Sequence, residues 1–127
     1  MYSVNNTIMI PHHRGLAVVD IHSIVRVEAV SSYSRLILGD GSQVLVSKVL
    51  KQMESMLAGK GFVRVHRSHL VNTAWIRTYN FYEYKVVLRN NEEINISRRK
   101  KKELHKKMAD QKEAVLKTLR FDIPSFN

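Results

Sequence analysis

Gly39-Asp40-Gly41 stands between two short runs, Arg35-Leu-Ile-Leu38 and Gln43-Val-Leu-Val46. Asp-Gly supplies the positive φ angles of a tight turn, and runs of four residues are too short for helices. An antiparallel hairpin is therefore dictated over 35–46. The same grammar recurs along the chain. Thr7–Pro11 reads as a first strand stopped by Pro11, which cannot donate to a ladder. His12–Gly15 is a turn, Leu16–Val19 a strand pairing back, and Asp20–Ser23 a short crossover of one helical turn. Ile24–Val30 is a third strand, followed by a polar loop over Ser31–Ser34. Later come Phe62–His66, a β-prone aromatic stretch over Arg77–Tyr84, and strands over Tyr84–Arg89 and Glu93–Ile96.

Two stretches break this pattern. Val49, Leu50, Met53, Met56 and Leu57 recur at three- and four-residue steps, the stripe of an amphipathic helix. Ser47 is its expected N-cap, and Gly59 and Gly61 end it. Ser97 is the expected cap of a second helix, whose apolar side carries Leu104, Met108, Val115, Leu116 and Leu119. The fold class is thus mainly β with α: small, mostly antiparallel sheets, one internal helix and one C-terminal helix. Residues 1–6 are expected to be a leader, 7–108 the domain, and 109–127 a helical extension with a tail, its helix packed on its own domain in preference to pairing with a second copy.

Charge narrows the function. The 127 residues carry a formal charge of +10, a balance that attracts polyanions such as nucleic acid or an acidic membrane surface. Seven cations and one acid crowd into Arg98–Lys107, directly after the last strand. The absence of cysteine removes disulfides, thiol nucleophiles and cysteine metal sites. No apolar run approaches the roughly 18–20 residues that span a bilayer, so a cytoplasmic location is expected.

Phe62–Asn72 is the most telling stretch. Phe62, Val63 and Val65 alternate with Arg64 and His66, then Arg67-Ser68-His69 interrupts, and Leu70-Val71 returns to the core. Trp75, the single Trp, is placed to anchor that return. Such a segment leaves the core to present basic and hydroxyl side chains. Two further polar segments sit where strands stop, Ser31–Arg35 and Ser97–Lys102. Brought together, the three would form one surface. Arg reads guanine through two parallel hydrogen bonds, Ser and Tyr reach phosphates or base edges, and Lys neutralises phosphate. A capped helix start aims free N–H groups at phosphate as well.

Other chemistry is weakly supported. The acids are scattered, with no acid/base pair beside a His and no Gly-rich phosphate loop, so an enzyme is not expected. His66 and His69 could face a metal together, but no third ligand lies nearby and no cofactor is implied. His12-His13 reads as a solvated turn pair. Structured RNA is the alternative polyanion for the same positive face.

The residues Ile24-Val-Arg-Val-Glu-Ala29 with Tyr33, the run Val44–Leu57, Phe62–Asn72 with Ile76, and Ile96-Ser-Arg98 resemble the LytTR-type DNA-binding domain of bacterial transcription regulators. The resemblance runs from about Thr7 to Met108. It implies an elongated β fold whose three loops enter successive major grooves of double-stranded DNA at direct-repeat sites. The implied contacts are Tyr33, Ser34 and Arg35 in the first loop, and Arg67 with His66 and Ser68 in the second. Arg98 with Arg99 forms the third, and Lys101, one turn into the helix, is placed to meet phosphate. A second copy on an adjacent repeat is a possible partner. With about six residues before the first strand there is no room for a receiver domain, so the chain is expected to be a free-standing regulator or part of a longer one.

Overall fold

The structure is a computed structural model that describes residues 2–4, 6–80 and 82–119, with side chains described over 6–80 and 82–110. β1 (Tyr2–Val4), β2 (Thr7–His12) and β3 (Gly15–Asp20) form a first antiparallel sheet in the order β1-β2-β3. β4 (Ile24–Val30), β5 (Tyr33–Leu38), β6 (Gln43–Val46), β7 (Phe62–His66) and β8 (His69–Asn72) form the central sheet, ordered β6-β5-β4-β8-β7. α1 (Leu50–Met56) lies between β6 and β7 in the chain. β9 (Ile76–Asn80), β10 (Lys85–Leu88) and β11 (Glu93–Asn95) make a third sheet, ordered β11-β10-β9, and α2 (Arg98–Leu119) follows. Every strand pair is antiparallel. The expected mainly-β class with two helices is what the chain adopts.

The central sheet takes part in a core on each of its faces. Val27 lies opposite Leu36 and Leu70 in the ladders, and all three join Ile8, Ile10, Val46, Leu50, Met53 and Leu57 in one core. That core is closed by the first sheet and α1. Val63 lies opposite Val71, and these pack with Val65, Val86, Leu88, Ile96 and Leu104 in a second core. The third sheet and the start of α2 close that one. Leu57 and Leu104 are fully buried, and truncating either to Ala would cost about 2–5 kcal/mol in lost transfer and cavity terms.

Several local expectations need correction. Tyr2–Val4 is a strand on β2, within the stretch expected as a leader. β2 continues through Pro11, because β1 covers only Thr7–Met9 and the ring's missing N–H faces no partner strand. Val49, not Ser47, is the N-cap of α1: Ser47 instead donates its backbone N–H to the Pro11 carbonyl at 3.0 Å. The Gln52 side chain accepts from the Val49 N–H at 3.1 Å, which occupies one of the free donors at that helix start. In the β5–β6 turn only Gly41 has a positive φ, +89°. Asp40 contributes differently, its carboxylate accepting from the Ser42 N–H at 2.8 Å and hydroxyl at 2.6 Å.

Trp75 is the peg between the central sheet and the connection before it. Its indole N–H donates to the His22 carbonyl at 2.9 Å. Its ring lies so close to Gly39 that a Cβ there would sit 2.6 Å from Cη2. Asp20 accepts from the His22 N–H at 2.9 Å, capping the single 3-10 turn expected over that crossover. α2 runs continuously past Met108, the expected domain boundary. The side chains of 111–119 and the tail after 119 lie outside the described residues, as does the expected packing of that extension.

Candidate nucleic-acid interface

β4 runs toward Val30, β8 starts opposite Glu28, and β6 ends opposite Ser34. The β4–β5 turn, the β7–β8 turn and the exit of β6 therefore share one end of the central sheet. Hydrogen bonds tie them side by side. The Ala29 N–H donates to the Ser68 carbonyl at 2.9 Å, joining the end of β4, just before the first polar segment, to the second. The Ser97 N–H donates to the Val65 carbonyl at 2.8 Å, joining the second to the third. The three segments, far apart in sequence, thus form one row.

The second segment is a tight hairpin, with only Arg67 and Ser68 between β7 and β8. Arg64 braces it from behind. Its guanidinium donates to the His66 carbonyl at 2.9 Å, the Arg67 carbonyl at 2.6 Å and Glu54 of α1 at 3.0 Å. The His66 Nδ1 accepts from the Ser68 N–H at 3.1 Å, which requires that nitrogen to be unprotonated. Arg67 itself is exposed, and no described residue holds its guanidinium. Arg67 forms no pair with Glu28, whose carboxylate is taken by Arg26 and Arg35.

The third segment opens α2. The Ser97 hydroxyl accepts from the Lys100 N–H at 3.2 Å, so the expected cap forms. Arg98 and Arg99 are exposed. The Arg98 guanidinium lies 5.8 Å from the Tyr84 ring centroid and the Lys101 ammonium 4.2 Å from it, both within cation–π range. Arg64, His66, Arg67, Ser97, Arg99 and Lys100 line a cleft of about 330 Å³ between the hairpin tip and this helix start.

The first segment is less open than expected. Tyr33 is exposed, but Tyr33 and Ser34 belong to β5 and only Ser31 and Ser32 form the turn. Ser31 takes φ +54°, a left-handed value that lets the two-residue turn close. Ser34 is fully buried, and its hydroxyl donates to the Lys48 carbonyl at 2.6 Å. It cannot reach a ligand, so its expected contact role is withdrawn. Arg35 is half-exposed and bonded to Glu28 at 2.6 Å.

An ion-pair node beneath this end was missed by sequence reasoning. Arg26, in the apolar strand β4, makes two parallel bonds to Glu92 at 3.1 and 2.9 Å and one to Glu28 at 2.9 Å. Burial alone would lower the Arg26 pKa, but bonds to Glu92 and Glu28 outweigh it and raise the value. For Glu28, burial pushes up, yet Arg26 and Arg35 together hold the carboxyl below its ordinary range. The Arg26 hydrogen bond is the main reason Glu92 is also depressed. The signal available was an Arg and a Glu two apart in a run otherwise apolar, hence on one face of the strand. His69, opposite Glu28, is half-buried with an unpartnered Nδ1. Burial first, then the charges of Arg26 and His66, lower its pKa. Among the described residues no three His or acidic side chains converge as metal ligands, and no helix is long and apolar enough to cross a membrane.

A row of basic and hydroxyl side chains thus stands on one end of the small antiparallel central sheet. The LytTr DNA-binding domain family matches residues 14–109. The chain belongs to that family, whose members are DNA-binding domains of transcription regulators rather than enzymes. Among solved structures, a LytTr DNA-binding domain from Bacillus cereus superposes with a TM-score of 0.68. At 18% identity, covering 81% of this chain and 96% of that one, it attests the fold. No curated protein matches the sequence.

Proposed function

We propose that the chain binds double-stranded DNA sequence-specifically as the output module of a transcription regulator. In this reading the three segments enter successive major grooves at direct repeats, and a second copy occupies the adjacent repeat. The observation that carries it is the hydrogen-bonded row, in which Arg67, Arg98 and Arg99 are exposed and free of carboxylate partners among the described residues. Arg67 and Arg98 read base edges, since a planar fork can bond a guanine twice where Lys cannot. Tyr33, Arg35, His66, Ser68 and Arg99 flank those readers. Lys101 grips phosphate from the helix. Ser34 has no part in the contact. The unit that reads is residues 7–108, with 109–127 as its extension.

Selection of bound duplexes from a random pool tests this directly. Enriched sites should contain short direct repeats about one helical turn apart. On such a site Arg98→Ala and Arg67→Ala should each cost about 1–3 kcal/mol and flatten preference at a different base position. Lys101→Ala should weaken all duplexes alike and make the salt slope shallower by about one unit. With about four phosphates neutralised, log affinity should fall against log salt with a slope of about −3.6. Tighter binding to hairpin RNA than to any duplex, or unchanged binding by both Arg variants, refutes the reading.

A further inference from the structure

The row does not stop at Tyr33. β2 ends beside the exit of β6, where the Ser47 N–H meets the Pro11 carbonyl. Ser34 in turn donates its hydroxyl to Lys48, the residue after Ser47. The β2–β3 turn over His13 and Arg14 is thus next in line, on the side away from α2. His13 and Tyr33 line the same small cleft with Leu45 and Ser47, about 290 Å³. Both His13 and Arg14 are exposed, and among the described residues no carboxylate holds either. The turn is also preformed. The Arg14 N–H donates to the His12 Nδ1 at 3.3 Å, and the His12 and His13 rings meet edge-on at 5.5 Å. Among the described residues no side chain or carbonyl bonds the Arg14 guanidinium, while the Pro11 carbonyl just before the turn is tied to the row.

We propose that the β2–β3 turn, through Arg14 and His13, is a fourth contact segment that grips a DNA phosphate beyond the Tyr33 end of the row. Four strand spacings across the central sheet span roughly 19 Å, and the turn and α2 extend the row at either end. The turn thus lies outside the three segments assigned to base edges, within reach of the phosphate backbone that continues past them. Arg14 and His13 then contribute affinity without sequence information.

The inference rests on the DNA-binding reading above and deepens it. The test titrates the full chain against a selected duplex and an unrelated one, for the parent, His13→Ala/Arg14→Ala and Arg67→Ala. One phosphate contact at about 0.15 M salt is worth roughly fivefold in affinity. The double variant should bind both duplexes roughly fivefold more weakly, with a salt slope shallower by about one unit and base preference unchanged. A hydroxyl-radical footprint should retract at one end only. Trimming the parent's duplex at that end should cost the same factor, a readout that needs no variant to fold. Unchanged affinity, slope and footprint in the double variant, with Arg67→Ala losing base preference, overturns the fourth contact alone. Parent protein that prefers no duplex over another overturns the DNA-reading proposal and this inference together.

Discussion

The Arg26 node allows a test in which one substitution should rescue another. Arg26→Met keeps most of the apolar stem and removes three charge-assisted hydrogen bonds. Such bonds are worth about 1.5–3 kcal/mol each at their best, but the groups left behind are cared for. Glu28 keeps Arg35 at 2.6 Å, and Glu92 keeps the Asn90 amide at 2.6 Å with a third of its side chain open to water. The variant also avoids the cost of desolvating a guanidinium. A net loss of about 1–2 kcal/mol follows. Glu92→Gln is worse, although it changes a more exposed residue. It leaves Arg26, whose side chain is 11% exposed, sharing the single carboxylate of Glu28 with Arg35. Arg cannot shed its proton to escape. Leaving a buried guanidinium with only part of its carboxylate pairing costs about 3 kcal/mol, the lower end of the range for a broken buried pair. Arg26→Met/Glu92→Gln should fall back to the cost of Arg26→Met alone, a coupling of about 3 kcal/mol. Urea unfolding at pH 7 with a constant m-value measures all four proteins. Additive losses, or Glu92→Gln milder than Arg26→Met, would refute the account.

Three other outcomes can be checked with further variants. Ser34→Ala should cost about 1–3 kcal/mol by orphaning the Lys48 carbonyl, while the folded variant binds DNA as the parent does in a gel-shift titration. Gly39→Ala should cost about 1–3 kcal/mol because its Cβ would press on the Trp75 ring, read as a Tm lowered by about 4 °C per kcal/mol. The pH response should come in two windows. His69 is lowered in the fold from an ordinary 6.5, so its contribution is whole above that value and is lost as pH falls below it. Glu28 and Glu92 are also lowered, so their contribution is present above about 4.5 and is lost as pH falls further. Denaturant midpoints from pH 8 to 3 should decline in both windows, and His69→Gln should abolish only the upper one.

Features governed by a few neighbouring residues were legible in the sequence. The span Ile24–Val30, the β5–β6 turn at Gly41, the α1 stripe of Leu50, Met53 and Leu57, and the Ser97 cap all depend on φ preferences or side-chain spacing within one turn. The family resemblance also drew on linear motifs such as Phe62–Asn72. What the sequence could not state was which segments stand next to which. Ser34 looks like a loop residue until β6 brings the Lys48 carbonyl over it. Pro11 reads as a stop until β1 proves too short to need its N–H. Arg26 finds Glu92 across 66 residues, and the His13–Arg14 turn joins the row only because Ser47 bonds Pro11. Propensity and periodicity are properties of a local window, so sequence alone determined the elements and the chemistry they carry. Burial, charge pairing and strand order are settled only when distant segments compete for the same water-free space, and that decided the node beneath the site and the order of its row.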